Sequence, residues 1–239
     1  MENKFTARTS LIIGEDGINK LKNSHILVIG VGGVGSFCVE ALVRSGVGNI
    51  TIVDYAEVEV MDINRQLPGL TSNLGKDKVD VVKERLLDIN NNLNINAIKA
   101  TFNHETSNEI FNNKYDYVAD AIDMVSSKIH LVEECMKRDI PIISSMGMGN
   151  KLDPTKIEIS DISKTHTCPL AKVVRKELRD RNIEHLKVVF STEHPLEIKE
   201  KVSNGHRILP GSISFMSSSG GLTMAAEIIK DILNINNEN

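Results

Sequence analysis

Several features that mark other classes of protein are absent from this chain. Tryptophan does not occur, and only 4% of the 239 residues are aromatic. No apolar run approaches the roughly 18 residues that a bilayer-spanning helix needs. The stretch at residues 222–233 is shorter and carries three charged side chains. The first ten residues lack the apolar core of a secretory signal. We therefore expect a cytoplasmic protein with no membrane segment.

Cysteine is scarce, and its three positions, Cys38, Cys135 and Cys168, lie far apart without a C-x-x-C pair. This spacing predicts neither a disulfide framework nor a structural zinc site of the usual kind. Cys168 precedes a proline and a basic segment, which leaves two interpretations. It is either a nucleophile whose pKa is lowered by nearby cations or an incidental loop cysteine, and we favour the second.

The net charge does not indicate a nucleic-acid-binding protein, because 32 acidic residues outnumber 28 basic ones and the formal net charge is −4. A local basic patch is still compatible with that total. The densest basic cluster, in residues 172–181, is predicted to be helical. Its cations either bind RNA phosphates or form a solvated helix face.

The most informative segment that is present reads HILVIGVGGVG, at residues 25–35. An apolar run ends in Gly30, Gly32, Gly33 and Gly35, and an amphipathic stretch follows. This order predicts a strand, a tight turn and the start of a helix. Glycines allow close approach of a phosphate, and the free N–H groups of a helix N-terminus attract its charge. The segment predicts a nucleotide site without identifying the nucleotide.

The rest of the first half alternates strand and helix patterns, which predicts an α/β, Rossmann-like, mostly parallel sheet with flanking helices. The second half adds an antiparallel portion and long loops. We expect one domain over residues 1–239, with a nucleotide-binding core at 1–145 and a substrate-side extension at 146–239. The predicted strands are 26–29, 50–53, 95–102, 115–119, 140–144, 156–162 and 186–190, and the main helices are 34–45, 79–89, 129–136, 170–181 and 217–233.

Charged residues after the second strand narrow the choice of nucleotide. Asp54 ends that strand, where a carboxylate can bind a ribose hydroxyl in an ATP enzyme or in a nicotinamide-dependent dehydrogenase alike. Asn64, Arg65 and Gln66 follow in the next loop, and Lys78 opens the next helix. A triphosphate under attack needs such cations, because charge accumulates on the leaving pyrophosphate. Hydride transfer has no comparable use for them.

Asp120 and Asp123 come at and just after the end of a further predicted strand, at the sheet edge where ligands gather. A carboxylate there can hold Mg²⁺ between phosphates. The alternative for either residue is an N-cap for the helix that begins near Val125. We leave both interpretations open for Asp120 and prefer the metal for Asp123.

Together these motifs resemble the superfamily of ubiquitin-activating enzymes and their bacterial relatives in thiamine and molybdopterin synthesis. The resemblance covers about residues 5–145. It implies a homodimer that uses ATP and Mg²⁺ to adenylate a carboxylate, with Arg8 reaching the ATP in the partner's site. The shared pattern is a G-x-G-G-x-G loop, a ribose aspartate, N/Q-R-Q, a helix-opening lysine and a D-x-x-D strand end, matched here by Gly30–Gly35, Asp54, Asn64–Gln66, Lys78 and Asp120–Asp123.

The second half is similar to the tRNA threonylcarbamoyladenosine dehydratases, at residues 151–164, 169–172, 189–193 and 210–212. That subfamily lacks zinc cysteines and closes a ring on the modified adenosine beside the tRNA anticodon. Two residues depart from the superfamily pattern. Asp62 stands where asparagine is usual, which could weaken or redirect a contact to the nucleotide, and Met124 stands where a small polar residue is common.

Other functions are compatible with the same fold. The first alternative is an adenylyltransferase that activates the C-terminus of a ubiquitin-like sulfur carrier, with a sulfur-carrier or cysteine-desulfurase system as partner. An NAD-dependent oxidoreductase is the second, and a nucleotide-binding module without catalysis is the third.

Overall fold

A computed structural model describes residues 4–199 and 209–235 of the chain. Part of the irregular segment predicted at residues 193–210 therefore lies outside the described residues. Strands are the framework that positions the site. They are β1 (His25–Ile29), β2 (Asn49–Asp54), β3 (Asn94–Lys99), β4 (Tyr117–Asp120), β5 (Ile142–Ser145), β6 (Ile157–Asp161) and β7 (Lys187–Ser191).

All seven strands join one sheet in the order β3-β2-β1-β4-β5-β7-β6. Six run parallel, and β6 is antiparallel to β7. The predicted α/β class is thereby confirmed, although β7 extends the parallel sheet and only β6 reverses direction. Because β7 lies beside β5, the sheet is continuous across residue 145. The division there into a nucleotide-binding core and a substrate-side extension stays a prediction.

Strand register brings the functional segments to one edge. Ile29 pairs with Val53 on one side and with Asp120 on the other. The carboxyl ends of β1, β2 and β4 are therefore level. The chain order reverses between β1 and β4, and ligands of doubly wound sheets bind in the crevice at such a point.

Helices cover both faces of the sheet: α1 (Ala7–Asn23), α2 (Gly35–Ser45), α3 (Lys78–Ile89), α4 (Ser107–Ile110), α5 (Val125–Lys137), α6 (Pro169–Arg179) and α7 (Ser214–Leu233). One face packs α2 against α7, where an added Cβ on Gly221 would lie 2.3 Å from the Val34 carbonyl oxygen. Close helix contact thus requires glycine at that position. The other face is built from α5 and α6, with Val132, Val174 and Leu178 buried. None of the helices in the described ranges is long and apolar enough to cross a bilayer.

Helix α1 and the four-residue helix α4 are the helices that the sequence pattern did not predict, and α1 is by far the longer. Its helical geometry breaks at Gly14, where φ is +71°. Only Leu21 of this helix is fully buried, while Leu11 and Ile12 are each 85% exposed. An amphipathic period is therefore hard to recognise, because the apolar side chains do not all face the core of the same chain.

Candidate nucleotide site

Two of the four loop glycines are required by the geometry of the loop itself. Gly30 has φ +87°, and a Cβ there would lie 2.7 Å from the Ala121 carbonyl oxygen. A Cβ on Gly35 would lie 1.8 Å from the carbonyl oxygen of Gly30. Any side chain at either position would force the turn between β1 and α2 open.

The other two glycines leave space instead. A Cβ on Gly32 would meet nothing nearer than the Gln66 amide at 3.7 Å, and a Cβ on Gly33 would lie 3.1 Å from the Ser217 Cβ. Gly32 is therefore not demanded by packing within the chain, and Gly33 only weakly. Because these glycines have no side chain, a phosphate can approach the backbone of the turn closely.

Asp54 holds the glycine loop in place. Its carboxylate accepts hydrogen bonds from the backbone N–H of Val31, at 2.8 Å, and of Ala56, at 2.9 Å. The side chain is half-buried at the end of β2. Carboxylate oxygens accept more than one hydrogen bond each, so this anchoring leaves capacity for a ribose hydroxyl.

Asp62 gathers three of the predicted site residues around one buried carboxylate. It accepts from Gln66 Nε2 at 2.5 Å and from Lys78 Nζ at 3.0 Å, and Arg65 Nη2 lies 3.7 Å away. The backbone N–H of Glu59 is a further donor, at 3.0 Å. The departure from asparagine therefore organises this cluster, rather than merely weakening a contact to the nucleotide.

Donors and acceptors in this cluster are not all used. Nζ of Lys78 has Asp62 as its partner among the described residues, which leaves two of its three N–H donors available. The Oε1 atom of Gln66 is buried without a hydrogen-bond partner in the same residues. Buried polar atoms are normally paired, so both features indicate a ligand.

Asn64 connects the cluster to the second half of the chain, and Arg65 connects it to the glycine loop. Arg65 Nη1 donates to the Met61 carbonyl oxygen at 2.6 Å, and Asn64 Nδ2 donates to the Ser212 carbonyl oxygen at 2.9 Å. The Arg65 Cγ is 3.5 Å from the position of a Cβ on Gly33. The Arg65 side chain therefore passes beside the glycine loop.

Asp120 differs from both interpretations of the sequence. It is fully buried, and its Oδ2 accepts from Lys128 Nζ at 2.7 Å and from Ser144 Oγ at 2.5 Å. Its Oδ1 accepts from the N–H of Ile122 at 3.0 Å. It neither caps α5 nor faces the crevice, because these contacts enclose it below the loop. We correct its role from nucleotide contact to support of the floor of the site.

Lys128 is a residue that sequence reasoning missed. Its ammonium is fully buried and donates to Asp120, to Ser144 Oγ at 3.1 Å and to the Ser145 carbonyl oxygen at 3.0 Å. All three donors are used. A usable signal existed: a lysine stands at an inward position of the apolar helix face marked by Val125 and Val132.

Asp123 is exposed between β4 and α5, at the carboxyl edge of the sheet. In the described ranges no group of three or more histidine, cysteine or acidic side chains could hold a metal by itself. Magnesium is commonly held by one or two carboxylates together with substrate phosphates. One carboxylate at this edge fits that arrangement.

Arg8 belongs to the start of α1, which packs near the end of α2 that is distant from the glycine loop. It is exposed in the first turn of α1, and the neighbouring Thr6 lies beneath Gly46, with its Cγ2 3.2 Å from a Cβ built there. Gly46 follows the end of α2, whereas the loop precedes the start of α2. The 11 residues of α2 separate the two points by about 16 Å.

Cys168 is buried, with its Sγ 4.0 Å from the Gly147 carbonyl oxygen. This position does not offer the exposed thiolate that a nucleophile requires. Nearby, Lys151 is also buried and donates to the carbonyl oxygens of Ser191, at 3.0 Å, and Gly147, at 3.3 Å. Burial lowers the pKa of the Lys151 ammonium, opposed by Cys168 and Glu193. This lysine was also missed from the sequence.

A cavity of about 260 Å³ adjoins Lys151 on the side of the second half. Asn64 joins its wall to the cation cluster through Ser212. This hydrogen bond is the direct link between the wall of the cavity and the predicted nucleotide site. Its lining consists of Asn150, Lys151, Leu152, Leu196, Glu197, Ile198, Gly211, Ser212 and Ile213.

The fold and this cluster define a nucleotide-binding protein of the doubly wound α/β class. Comparison with protein families identifies the family. The ThiF family model matches residues 6–239, and the chain belongs to this family. The match includes both the glycine loop and the second half.

Two curated relatives are similar over most of the chain. The tRNA threonylcarbamoyladenosine dehydratase of Bacillus subtilis is 47% identical over 238 residues, which cover 95% of this chain and 94% of the relative. The Haemophilus influenzae protein of the same name is 42% identical over 186 residues, or 74% of this chain and 71% of the relative.

Solved structures of the Escherichia coli tRNA N6-threonylcarbamoyladenosine dehydratase, TcdA, have the same fold. Its complex with AMP superposes with a TM-score of 0.89 at 31% identity, covering 95% of this chain and 93% of that one. Its complex with ATP gives a TM-score of 0.88 at 30% identity, covering 97% and 94%. That enzyme therefore binds both ATP and AMP.

Proposed function

We propose that this chain is an ATP-dependent tRNA threonylcarbamoyladenosine dehydratase of the cytoplasm. It would adenylate the threonyl carboxylate and close a ring on the modified adenosine beside the anticodon. The observation that carries this proposal is the cluster at Asp62, which holds Lys78, Arg65 and Gln66 around one carboxylate, with the Arg65 and Gln66 side chains next to the glycine loop. The relatives of the same name, at 47% and 42% identity, support the choice of substrate.

Each residue of the cluster has a role that follows from its placement. The backbone of Gly32 and Gly33 leaves room for the phosphates, and Asp54 takes the ribose. Lys78 and Arg65 neutralise charge that grows on the leaving pyrophosphate, in a partly dehydrated site where such contacts are strong. Asn64 and Gln66 keep these cations in position.

Asp123 is the residue that would hold Mg²⁺. The ion, when bound, supplies charge neutralisation on the phosphate oxygens. An exposed carboxylate at the carboxyl edge of β4 fits this task, because it needs no further protein ligand when the phosphates provide the rest.

The reaction needs no nucleophile from the protein. An oxygen of the threonyl carboxylate bonds to the α-phosphorus as the bond from that phosphorus to pyrophosphate breaks. The carbamoyl oxygen of the same side chain then attacks the acyl carbon, AMP leaves and one proton is released. Proximity supplies much of the rate in this intramolecular second step. The burial of Cys168 agrees with a path that avoids a thioester.

We further propose a homodimer in which Arg8 enters the partner's site. Thr6, two residues before Arg8, contacts the end of α2 that lies about 16 Å from the glycine loop, and the resemblance implies that Arg8 acts in the partner's site. Leu11 and Ile12, three and four residues further along α1, are each 85% exposed. A second subunit that covers them would also bring Arg8 to a site. A sulfur-carrier or cysteine-desulfurase partner stays a prediction of the resemblance.

Mixed dimers test this arrangement. Arg8→Ala and Lys78→Ala should each be nearly inactive alone. If Arg8 acts in trans, half of the dimers formed after mixing and reassembly hold one intact site, which restores about a quarter of wild-type activity. If the mixtures stay inactive although mass spectrometry shows mixed dimers, the proposal that Arg8 acts in the partner's site is refuted.

Product analysis tests the function itself. Purified protein, ATP, Mg²⁺ and tRNA bearing threonylcarbamoyladenosine should give cyclised nucleoside, AMP and pyrophosphate in equal amounts. Mass spectrometry of digested nucleosides measures the ring closure. Pyrophosphate release only with a ubiquitin-like sulfur carrier would favour the first alternative, and tight NADH binding without pyrophosphate release would favour the oxidoreductase.

A further inference from the structure

Helix α6 carries three exposed cations on one side. Lys172, Lys176 and Arg179 are four and then three residues apart, which places them along one stripe of the helix. The opposite side, with Ala171, Val174 and Leu178, is buried in the core. We call Lys172, Lys176 and Arg179 the α6 stripe.

The α6 stripe is not neutralised by the protein. Within the described residues none of its three side chains forms an ion pair or a hydrogen bond, whereas the neighbouring Arg181 pairs with Glu177 and Glu133. Many other surface cations are paired as well: Arg44 and Arg85 with Glu40, Lys99 with Glu57 and Asp77, and Lys137 and Arg138 with Glu134. The stripe is distinguished by placing three unpaired cations along one side of a single helix, on a chain of net charge −4.

Helix α6 is anchored to the preceding segment and begins near the carboxyl edge of the sheet. Arg175 donates to the Thr165 carbonyl oxygen at 2.8 Å and to its Oγ1 at 2.6 Å, which fixes α6 to the preceding segment. At the start of the helix, Cys168 contacts Gly147, just after β5. Lys172 is therefore about one turn from the carboxyl edge of the sheet, and Arg179 lies about 10 Å further down the helix.

We propose that the α6 stripe binds the sugar–phosphate backbone of the tRNA and guides the modified adenosine to the crevice. This inference rests on the proposed function and adds the surface that holds its substrate. A stripe about 10 Å long matches a row of about three strand phosphates better than a single anion. Contacts of this kind fix position and orientation but do not read sequence.

The salt dependence of tRNA binding tests the stripe. The variant Lys172→Gln/Lys176→Gln/Arg179→Gln should weaken binding of modified and unmodified tRNA about tenfold to a hundredfold, and should lower the slope of log K against log salt by about 3. The KM for tRNA should rise by a similar factor, while kcat and the KM for ATP stay unchanged. Fluorescence anisotropy and steady-state kinetics measure these values.

A matched control removes the same charge elsewhere. Lys20, Lys22 and Lys114 are exposed near the opposite, amino edge of the sheet. Their triple glutamine variant should change the salt slope by well under 1. An equal loss in both variants, or an unchanged slope in the stripe variant, would overturn the proposal. So would a stripe that binds vesicles of anionic lipid but leaves tRNA binding unchanged.

Failure of the proposed function would look different. Binding to unmodified tRNA does not require turnover, so the slope can be measured whether or not ring closure occurs. If wild-type protein cyclises tRNA but the stripe variant binds tRNA with the same salt slope as wild type, only the role of the stripe is refuted. Wild-type protein that never cyclises the nucleoside would refute the proposed function.

Discussion

Two lysine–carboxylate pairs lie near the same edge of the sheet and differ in how completely they are satisfied. Asp120 and Lys128 have no exposed side-chain surface, and every donor of that lysine has a partner in the protein. Asp62 and Lys78 are 8% and 10% exposed, and the Lys78 ammonium has one partner among the described residues. The first pair supports the floor of the site, and the second retains hydrogen-bonding capacity for a ligand.

This difference shows why residue type alone does not identify a functional charge. A buried pair adds little net stability compared with apolar residues, but breaking it leaves an uncompensated charge. An unsaturated ammonium beside an open loop has bonding capacity that only a ligand can use. Counting donors and partners separates the two cases.

The largest predicted effect tests the saturated pair. Lys128→Met should lower the free energy of unfolding by about 3–5 kcal/mol, because Asp120 is left buried without its cation. Chemical denaturation measures the change. The double variant Asp120→Leu/Lys128→Met should recover part of the loss, since no charge then remains. A Lys128→Met protein as stable as wild type would break the comparison.

The unsaturated pair should show the reverse behaviour. Lys78→Ala should lower kcat for pyrophosphate release about 10²- to 10³-fold, as loss of a preorganised charge contact does. Its free energy of unfolding should fall less than that of Lys128→Met, because Asp62 keeps Gln66, the Glu59 N–H and Arg65 as partners. The control is Lys76→Ala, which alters an exposed neighbour that bonds Asn73 and should keep activity. Near-normal turnover by Lys78→Ala would remove this lysine from its role.

Asp62→Asn sharpens the comparison further, with a smaller effect. The amide keeps an acceptor for one of the present donors but removes a negative charge next to the triphosphate. We expect the KM for ATP to fall, by less than about tenfold, because Lys78 and Arg65 are then less neutralised. Asp62→Ala should instead raise that KM, since the cluster loses its organising oxygen atoms. A rise in both variants would mean that the carboxylate charge itself is needed.

His130 is buried without hydrogen-bond partners for its ring nitrogens. We expect its effect on stability to be the smallest of those predicted here. Both ring nitrogens are buried without partners among the described residues, and the ring lies against His104 with centroids 3.7 Å apart and a tilt of 45°. Burial, and then His104, lower the pKa of His130, opposed by Glu134 and Glu133, while Lys137 adds to the lowering. As the pH falls, this histidine is therefore protonated in the unfolded chain before it is protonated in the folded chain. Stability should fall as the pH drops below about 6.5 and should level off below the folded pKa.

Chemical denaturation at pH 7.5 and pH 5.5 measures this loss. His130→Leu should lose less stability between the two values than wild type does. The replacement of an exposed histidine, His194→Leu, serves as the control for the substitution itself. An identical loss in wild type and His130→Leu would show that His130 is not the group responsible.

Local patterns predicted the sheet and the position of the glycine loop because each strand and turn has a signal within about ten residues. Gly30 and Gly35 are required by contacts that such a turn always makes. The partners of Asp120 and Asp62 depend on which side chains the fold brings together. Lys128 is eight positions from Asp120, and Lys78 is sixteen from Asp62, so neither pairing can be read from spacing. Helix α1 was missed because two of its largest apolar side chains face outward.

The most direct test of the account follows one oxygen atom. The central claim is that the grip of Lys78 and Arg65 on the triphosphate lets the threonyl carboxylate displace pyrophosphate. When tRNA labelled with ¹⁸O in both carboxylate oxygens of the threonyl group is cyclised, each AMP should carry one ¹⁸O, because the oxygen that attacks phosphorus leaves with it. Unlabelled AMP, or ADP and phosphate as products, would contradict the account.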